Sequence, residues 1–162
     1  MILREASAQD LGFVHGLTSD LKNTPFMGDD DVTRLAAYLP DPACRLMILY
    51  GNNGPEGFAL FREIGNASGR VELFRLALAT AGAGKGAAFL TLLIDFAFTD
   101  LGAERLWLDA SSENLRAQKV YARAGFTVEG QLRNHWYRPA LGRCVDLIFY
   151  GMLRDEWVVL RA

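Results

Sequence analysis

At 162 residues the chain has the length of one domain, residues 1–162. That length can bury roughly two thirds of the unfolded surface, so no disulfide or metal staple is needed. With 51% hydrophobic and 22% charged residues and a mean hydropathy of +0.09, disorder is excluded as the dominant state. The 17 Lys and Arg against 19 Asp and Glu leave a net charge of −2, which sets the chain apart from binders that neutralise nucleic-acid phosphates. Two Cys (Cys44, Cys144) and two His (His15, His135) are too few for a Cys/His zinc cluster, and there is no C-x-x-C, so no metal is expected and a reducing compartment is the default. Met1 to Asp10 already carries Arg4, Glu5 and Asp10 and lacks the apolar core of a signal peptide. No apolar run reaches the ~18 residues of a membrane span, since Thr91 and Asp95 interrupt the densest stretch, Ala87 to Phe98. The expectation is a soluble cytoplasmic protein with neither nucleic acid nor membrane among its partners.

In chain order, Ile2 to Arg4 reads as a short strand. Ser7 caps a helix from Ala8 to Leu21 whose Leu11, Val14, Leu17 and Leu21 share one buried face. Asp29, Asp30 and Asp31 precede a second short helix that runs through Tyr38 and is closed by Pro40 and Pro42. These carboxylates suit helix capping, and they would also attract a cationic amine. Arg45 to Tyr50 is an apolar strand, Gly51 to Gly54 a hairpin turn, and Phe58 to Ile64 a second strand. Arg70 to Leu78 is a third, with Val71 and Leu73 on one face and Glu72, Phe74 and Leu76 on the other. The main helix spans Gly84 to Asp100. Arg105 to Ala110 is a strand, and a helix opened by Ser112, Glu113 and Asn114 stops at Gly125, a C-terminal glycine. Phe126 to Tyr137 and Arg143 to Met152 form a long final hairpin. The order is β-α-α-β-β-β-α-β-α-β-β, a mixed α+β sheet with one strand-helix-strand crossover.

Ala81-Gly82-Ala83-Gly84-Lys85-Gly86 joins a strand to that long helix. Small residues let backbone N–H groups crowd round an anion, and the helix N-terminus adds about half a positive charge. A P-loop needs Ser or Thr after Gly-Lys, but Gly86 and Ala87 follow Lys85. A dinucleotide site is matched by Gly82, Gly84 and an acid at Asp109, but Ala87 stands where its third glycine belongs. Coenzyme A is the third ligand such a loop can hold.

From Glu72 onward the chain resembles the GNAT superfamily of acetyl-coenzyme A-dependent N-acetyltransferases. The family's R/Q-x-x-G-x-G/A loop reads Ala81-x-x-Gly84-x-Gly86 here, with Ala81 in place of Arg or Gln. Leu106 to Asp109, then Asn114, Ala117, Tyr121, Gly125 and Phe126, match its N-x-x-A-x-x-x-Y-x-x-x-G-F segment. Glu129 to Arg133, Gly142, Asp146 and Glu156-Trp157 resemble the branch of the ribosomal-protein N-terminal acetyltransferases. The resemblance covers about residues 56 to 157. Its residues also read on their own terms: Asn114, Ala117 and Tyr121 lie three and four apart and share a helical face.

The resemblance implies a GNAT-like fold, a central twisted sheet of about seven strands flanked by about four helices. It implies acetyl transfer from acetyl-coenzyme A to a primary amine by direct attack in a ternary complex. Backbone N–H groups of Leu76, Ala77 and Leu78 would polarise the thioester, and residues 81–87 with Asn114, Ala117 and Tyr121 would hold the cofactor. Tyr121 would assist the leaving sulfur and Glu72 would act as base. Deprotonating a lysine-type amine at pH 7 costs about 4.6 kcal/mol and an α-amine about 1.1. With no histidine base placed by sequence, an α-amine or another amine of low pKa is favoured. The partner is thus an amine-bearing small molecule or a protein N-terminus, with a homodimer allowed. His135, Trp136 and Tyr137 fall where the family often forms its acceptor pocket, and Arg133, Arg138 and Arg143 are placed to reach an anionic substrate. His15 reads as structural and Cys144 as a strand residue. The competing classes are a non-catalytic acyl-coenzyme A sensor of the same fold and a nucleotide-binding oxidoreductase.

Overall fold

The structure is a computed structural model, and it describes residues 1–28, 30–80, 82 and 84–162. Asp29, Ala81 and Ala83, singled out above, lie outside the described residues. β1 (Ile2–Glu5) leads through a 3₁₀ turn (Ala8–Asp10) to α1 (Leu11–Thr18) and α2 (Val32–Ala37). Then come β2 (Arg45–Gly51), β3 (Gly54–Arg62), β4 (Arg70–Leu78), α3 (Lys85–Thr99), β5 (Arg105–Ser111) and α4 (Leu115–Arg123). β6 (Thr127–Arg138), β7 (Arg143–Leu153) and α5 (Arg154–Arg161) complete the chain. The seven strands form one sheet in the order β1-β2-β3-β4-β5-β7-β6. Every neighbouring pair is antiparallel except β4 and β5, which α3 joins in parallel.

Each face of the sheet buries one core. On the first, Phe89, Leu93 and Phe98 of α3 and Tyr121 of α4 pack on Leu49, Phe61, Leu73 and Leu106. On the second, Leu11, Val14 and Leu17 of α1 and Leu35 of α2 cover Leu46, Ile48, Phe58 and Leu60. The alternation of side chains in β2 and β3 serves both cores at once, and this is why these strands are apolar at consecutive positions.

Four expectations need correcting. α1 stops at Thr18, and Leu21 is exposed instead of buried. Polar side chains compete for its last carbonyls: Thr18 Oγ1 and Ser19 Oγ donate to the His15 carbonyl, and Asn23 Nδ2 donates to that of Leu17. β3 ends at Arg62, because Glu63 adopts a positive φ of 63°. In β4, Leu60 pairs with Arg75 and Phe61 with Leu73, so Phe74 is a bulge. The extra residue reverses the facing of everything after it: Leu76 and Leu78 join the first core beside Val71 and Leu73, while Ala77 joins the second. Finally, α5 was not expected. Its Trp157 stacks on Phe98 and donates from Nε1 to Asp95 at 2.8 Å, but none of its residues is buried and Val158-Val159-Leu160 has no helical period.

The N-terminal strand is held by a partly buried ion pair between Arg4 and Asp10 and by a more exposed one between Glu5 and Arg45. Asp10, almost fully buried, accepts from Arg4 at 2.7 and 3.0 Å and from the Ser7 N–H and hydroxyl. The Arg4 guanidinium, helped by Ser7, lowers the Asp10 carboxyl to about 2. Because this folded value is depressed, the stabilisation is present above the unfolded pKa near 4 and is lost as pH falls through about 2. Asp10→Asn is expected to cost roughly 1–2 kcal/mol at pH 7, discounted because Arg4 is partly exposed. Denaturant midpoints should separate the two proteins at pH 7 and bring them together towards pH 2.

Candidate active site

The parallel pairing of β4 with β5 is short: Arg70, Val71 and Glu72 against Arg105, Leu106 and Trp107. From Leu73 onward the strands diverge, and the bulge at Phe74 falls where they part. The backbone groups facing the gap have no ladder partners and are open to a ligand. Both helices that follow these strands, α3 and α4, begin at this end of the sheet, at Lys85 and Leu115.

Gly84 caps α3 with a φ of 75°, and Gly82 has a φ of 116°, values that favour glycine. A Cβ at either position would meet nothing within 4 Å, so these glycines serve backbone conformation and border open space. The first turn of α3 holds no acidic side chain, and its leading N–H groups lack intrahelical acceptors. This donor set suits the phosphates of coenzyme A. Lys85 is less available than its position suggests, because its Nζ lies 3.1 Å from Glu56. Asn114 caps α4 by accepting from the Ala117 N–H at 3.1 Å. Ala117 packs half-buried against the first core.

Beneath the divergence, on the α1/α2 face, is a cavity of about 790 Å³. Its floor carries Glu72, Asp109, Arg62 and Tyr121, and one wall is built by Thr24, Phe26, Met27 and Asp30 from the segment between α1 and α2. The other side is β6, where Leu132 pairs with Leu147 and Trp136 with Val145, so that two extra residues bulge out between them. Asp146 holds this bulge by accepting from the Asn134 N–H at 2.7 Å. His135, Trp136, Tyr137 and Arg138 consequently line the cavity.

The floor is electrostatically tuned. Glu72 Oε2 accepts from Arg62 Nε at 2.8 Å and Nη2 at 2.7 Å. Burial still raises the Glu72 carboxyl, against the pull of Arg62. Asp109 is also raised by burial, with Arg62 and His135 opposing, and among the described residues no group donates a hydrogen bond to it. Tyr121 packs its ring against Tyr150 and Phe126, with centroids 5.4 and 6.1 Å apart. It comes from the α3/α4 face and reaches the cavity through the gap between β4 and β5. Burial first, and Asp109 second, push its hydroxyl above the ordinary tyrosine range, so it keeps its proton throughout the working pH range.

Of the residues nominated from sequence, the cavity brings together Glu72, Leu76, Asn114, Tyr121, His135, Trp136, Tyr137 and Arg138. Gly82, Gly84 and Ala87 are exposed at the loop and the start of α3, and Ala77 is buried in the second core. Arg143 is committed to Glu113 at 2.6 Å, and His15 Nδ1 meets the Asp30 carbonyl at 3.0 Å. Asp31 caps α2 as expected, but Asp30 turns into the cavity and pairs with Arg75 and Arg34. Cys44 and Cys144 are both free. Sequence reading missed Arg62 and Arg75, and it weighed Asp109 only for a nucleotide. The available signal was alternation: Leu106, Leu108 and Ala110 face the first core, which turns Asp109 to the opposite side.

A search of family models matches residues 15–126 to the Acetyltransferase (GNAT) family. The chain is 27% identical over 157 residues to the spermidine N(1)-acetyltransferase of Escherichia coli strain K12, covering 88% of this chain and 84% of that protein. It is 34% identical over 65 residues to the ribosomal N-acetyltransferase-like YdaF of Bacillus subtilis, covering 40% of this chain and 34% of that protein. The fold is similar to that of spermidine N-acetyltransferase from Vibrio cholerae in complex with CoA and spermine, with a TM-score of 0.84 at 21% identity over 97% of both chains. A dodecameric structure of the Vibrio cholerae enzyme gives a TM-score of 0.82 at 21% identity over 99% of this chain and 98% of that one. The family match spans more than half of the chain, and the chain belongs to the GNAT family as an acetyl-coenzyme A-dependent N-acetyltransferase.

Proposed function

We propose that the cavity receives a primary amine and that the chain acetylates it by direct attack in a ternary complex. The observation that carries this reading is the meeting of a protonated Tyr121 hydroxyl and an uncommitted Asp109 carboxylate at the gap between β4 and β5. Acetyl-coenzyme A, when bound, supplies the acyl thioester and departs as a thiol. Residues 81–87, the first turn of α3 and the face of Asn114 and Ala117 hold it, and the N–H groups of Leu76 and Leu78, on either side of an Ala77 that faces β3, supply donors for a developing oxyanion.

Tyr121 donates a hydrogen bond towards the leaving group. Its raised pKa favours partial donation over full proton transfer. Glu72, the base nominated from sequence, shares its Oε2 with two nitrogens of Arg62 and so orients that guanidinium on the floor. Asp109 seats the incoming ammonium and takes its proton. The likeness to a spermidine N(1)-acetyltransferase supports a polyamine as one candidate acceptor, alongside protein N-terminal α-amines and small-molecule amines.

Calorimetry with acetyl-coenzyme A, followed by thiol release over an amine panel, tests this reading. Binding in the micromolar range and amine-dependent release are expected. Binding without release from any amine would assign the chain to the acyl-coenzyme A sensors instead.

A further inference from the structure

The charges in the cavity fall into two groups. At the floor, beside Tyr121, Arg62 is held by Glu72, so Asp109 remains as an unmatched negative charge. At the wall between the α1–α2 segment and the end of β6, three guanidiniums meet one carboxylate. Arg34 and Arg75 share Asp30, and Arg138 has no acidic partner among the described residues. Arg138 is only 2% exposed. It donates to the carbonyls of Thr24, Pro25 and Met27 and lies over the Trp136 ring. These carbonyls satisfy donors without cancelling the charge, and with Asp31 acting on Arg34 beside Asp30 the described residues leave the wall a surplus of one positive charge, on Arg138. Arg62 acts on Asp109 together with His135 and also on Arg75, with which it shares the Phe74 ring, so floor and wall adjoin there, whereas Arg138 is influenced by Arg75.

A site with one free carboxylate at the floor and a cationic wall does not match a polyamine, whose second ammonium would face the guanidiniums. We propose, resting on the acetyl-transfer reading above, that the acceptor is an amine that also carries an anionic group. Its ammonium sits at Asp109, and its anion sits against Arg34, Arg75 and Arg138. A free amino acid and a peptide N-terminus with an acidic side chain share this chemistry.

The test compares acceptors of equal length that differ only at the far end: aminohexanoate, hexylamine and diaminohexane, with spermidine and a peptide beginning in Glu as further arms. Thiol release from acetyl-coenzyme A reads kcat/KM for each. The carboxylate-tipped amine is expected to exceed the ammonium-tipped one by at least about tenfold at low salt, with the ratio shrinking as salt rises. Arg34→Glu, on the exposed side of α2, is expected to lower that ratio by about tenfold or more. The faster of aminohexanoate and the Glu peptide identifies the source of the anion. Equal or better turnover of diaminohexane or spermidine overturns the proposal while leaving acetyl transfer intact. Absence of release from every amine overturns acetyl transfer, and the proposal with it.

Discussion

Tyr121→Phe is expected to lower kcat by about 10²-fold while changing acetyl-coenzyme A affinity less than about threefold. The ring stays in place, because its packing against Tyr150 and Phe126 does not involve the hydroxyl. Among the described residues the Tyr121 hydroxyl feels burial and the charges of Asp109 and Tyr150 but no hydrogen bond, so its removal leaves no buried partner unsatisfied and the thermal midpoint should hold. What is lost is one donor to charge that develops only as the thioester breaks, and such a donor acts on kcat more than on binding. Steady-state kinetics with calorimetric titration of the cofactor separates the two effects. A kcat within threefold of the parent protein would remove Tyr121 from this role.

Asp109→Asn is expected to have the larger effect, lowering kcat/KM by about 10³-fold at neutral pH. A base must be ionised to work, so the parent activity should fall as pH drops through the Asp109 pKa. Burial raises that pKa, placing the acid limb above the usual carboxylate range. The amide variant should lose this limb. Stability should move the other way. A carboxyl whose folded pKa lies above its unfolded value favours folding only when protonated, and it opposes folding once ionised at neutral pH. Asn removes that charge, so the midpoint at pH 7 should be unchanged or higher. Glu72→Gln provides the contrast, because it strips the carboxylate partner from Arg62 and should lower stability as well as rate. A pH profile that keeps its acid limb in Asp109→Asn would return the base role to Glu72.

Residues close together in the chain were legible without the fold. The glycine loop opening α3, the Asn114 cap with Tyr121 two turns on, and the glycine ending α4 each depend on local geometry, so spacing alone discloses them. A compact apolar run located β2, and alternation described β4 as far as the bulge at Phe74. The cavity proposed for the acceptor was not legible in this way, because its charges come from the α1–α2 segment, three central strands and β6, and only the sheet order brings them together. Asp30 looked like a second helix cap until Arg75 reached it, and Arg138 looked like part of a solvated hairpin until the carbonyls of Thr24 to Met27 closed over it.

The sequence by itself pointed to an anion site at the loop before α3, since such a cradle is built from consecutive backbone amides and small residues, and its resemblance to a family chose coenzyme A for it. The cavity proposed for the acceptor depends on the tertiary structure. Two bulges, at Phe74 and before Trp136, change which face each side chain takes, and the sum of charges across a cavity has no counterpart in residue spacing.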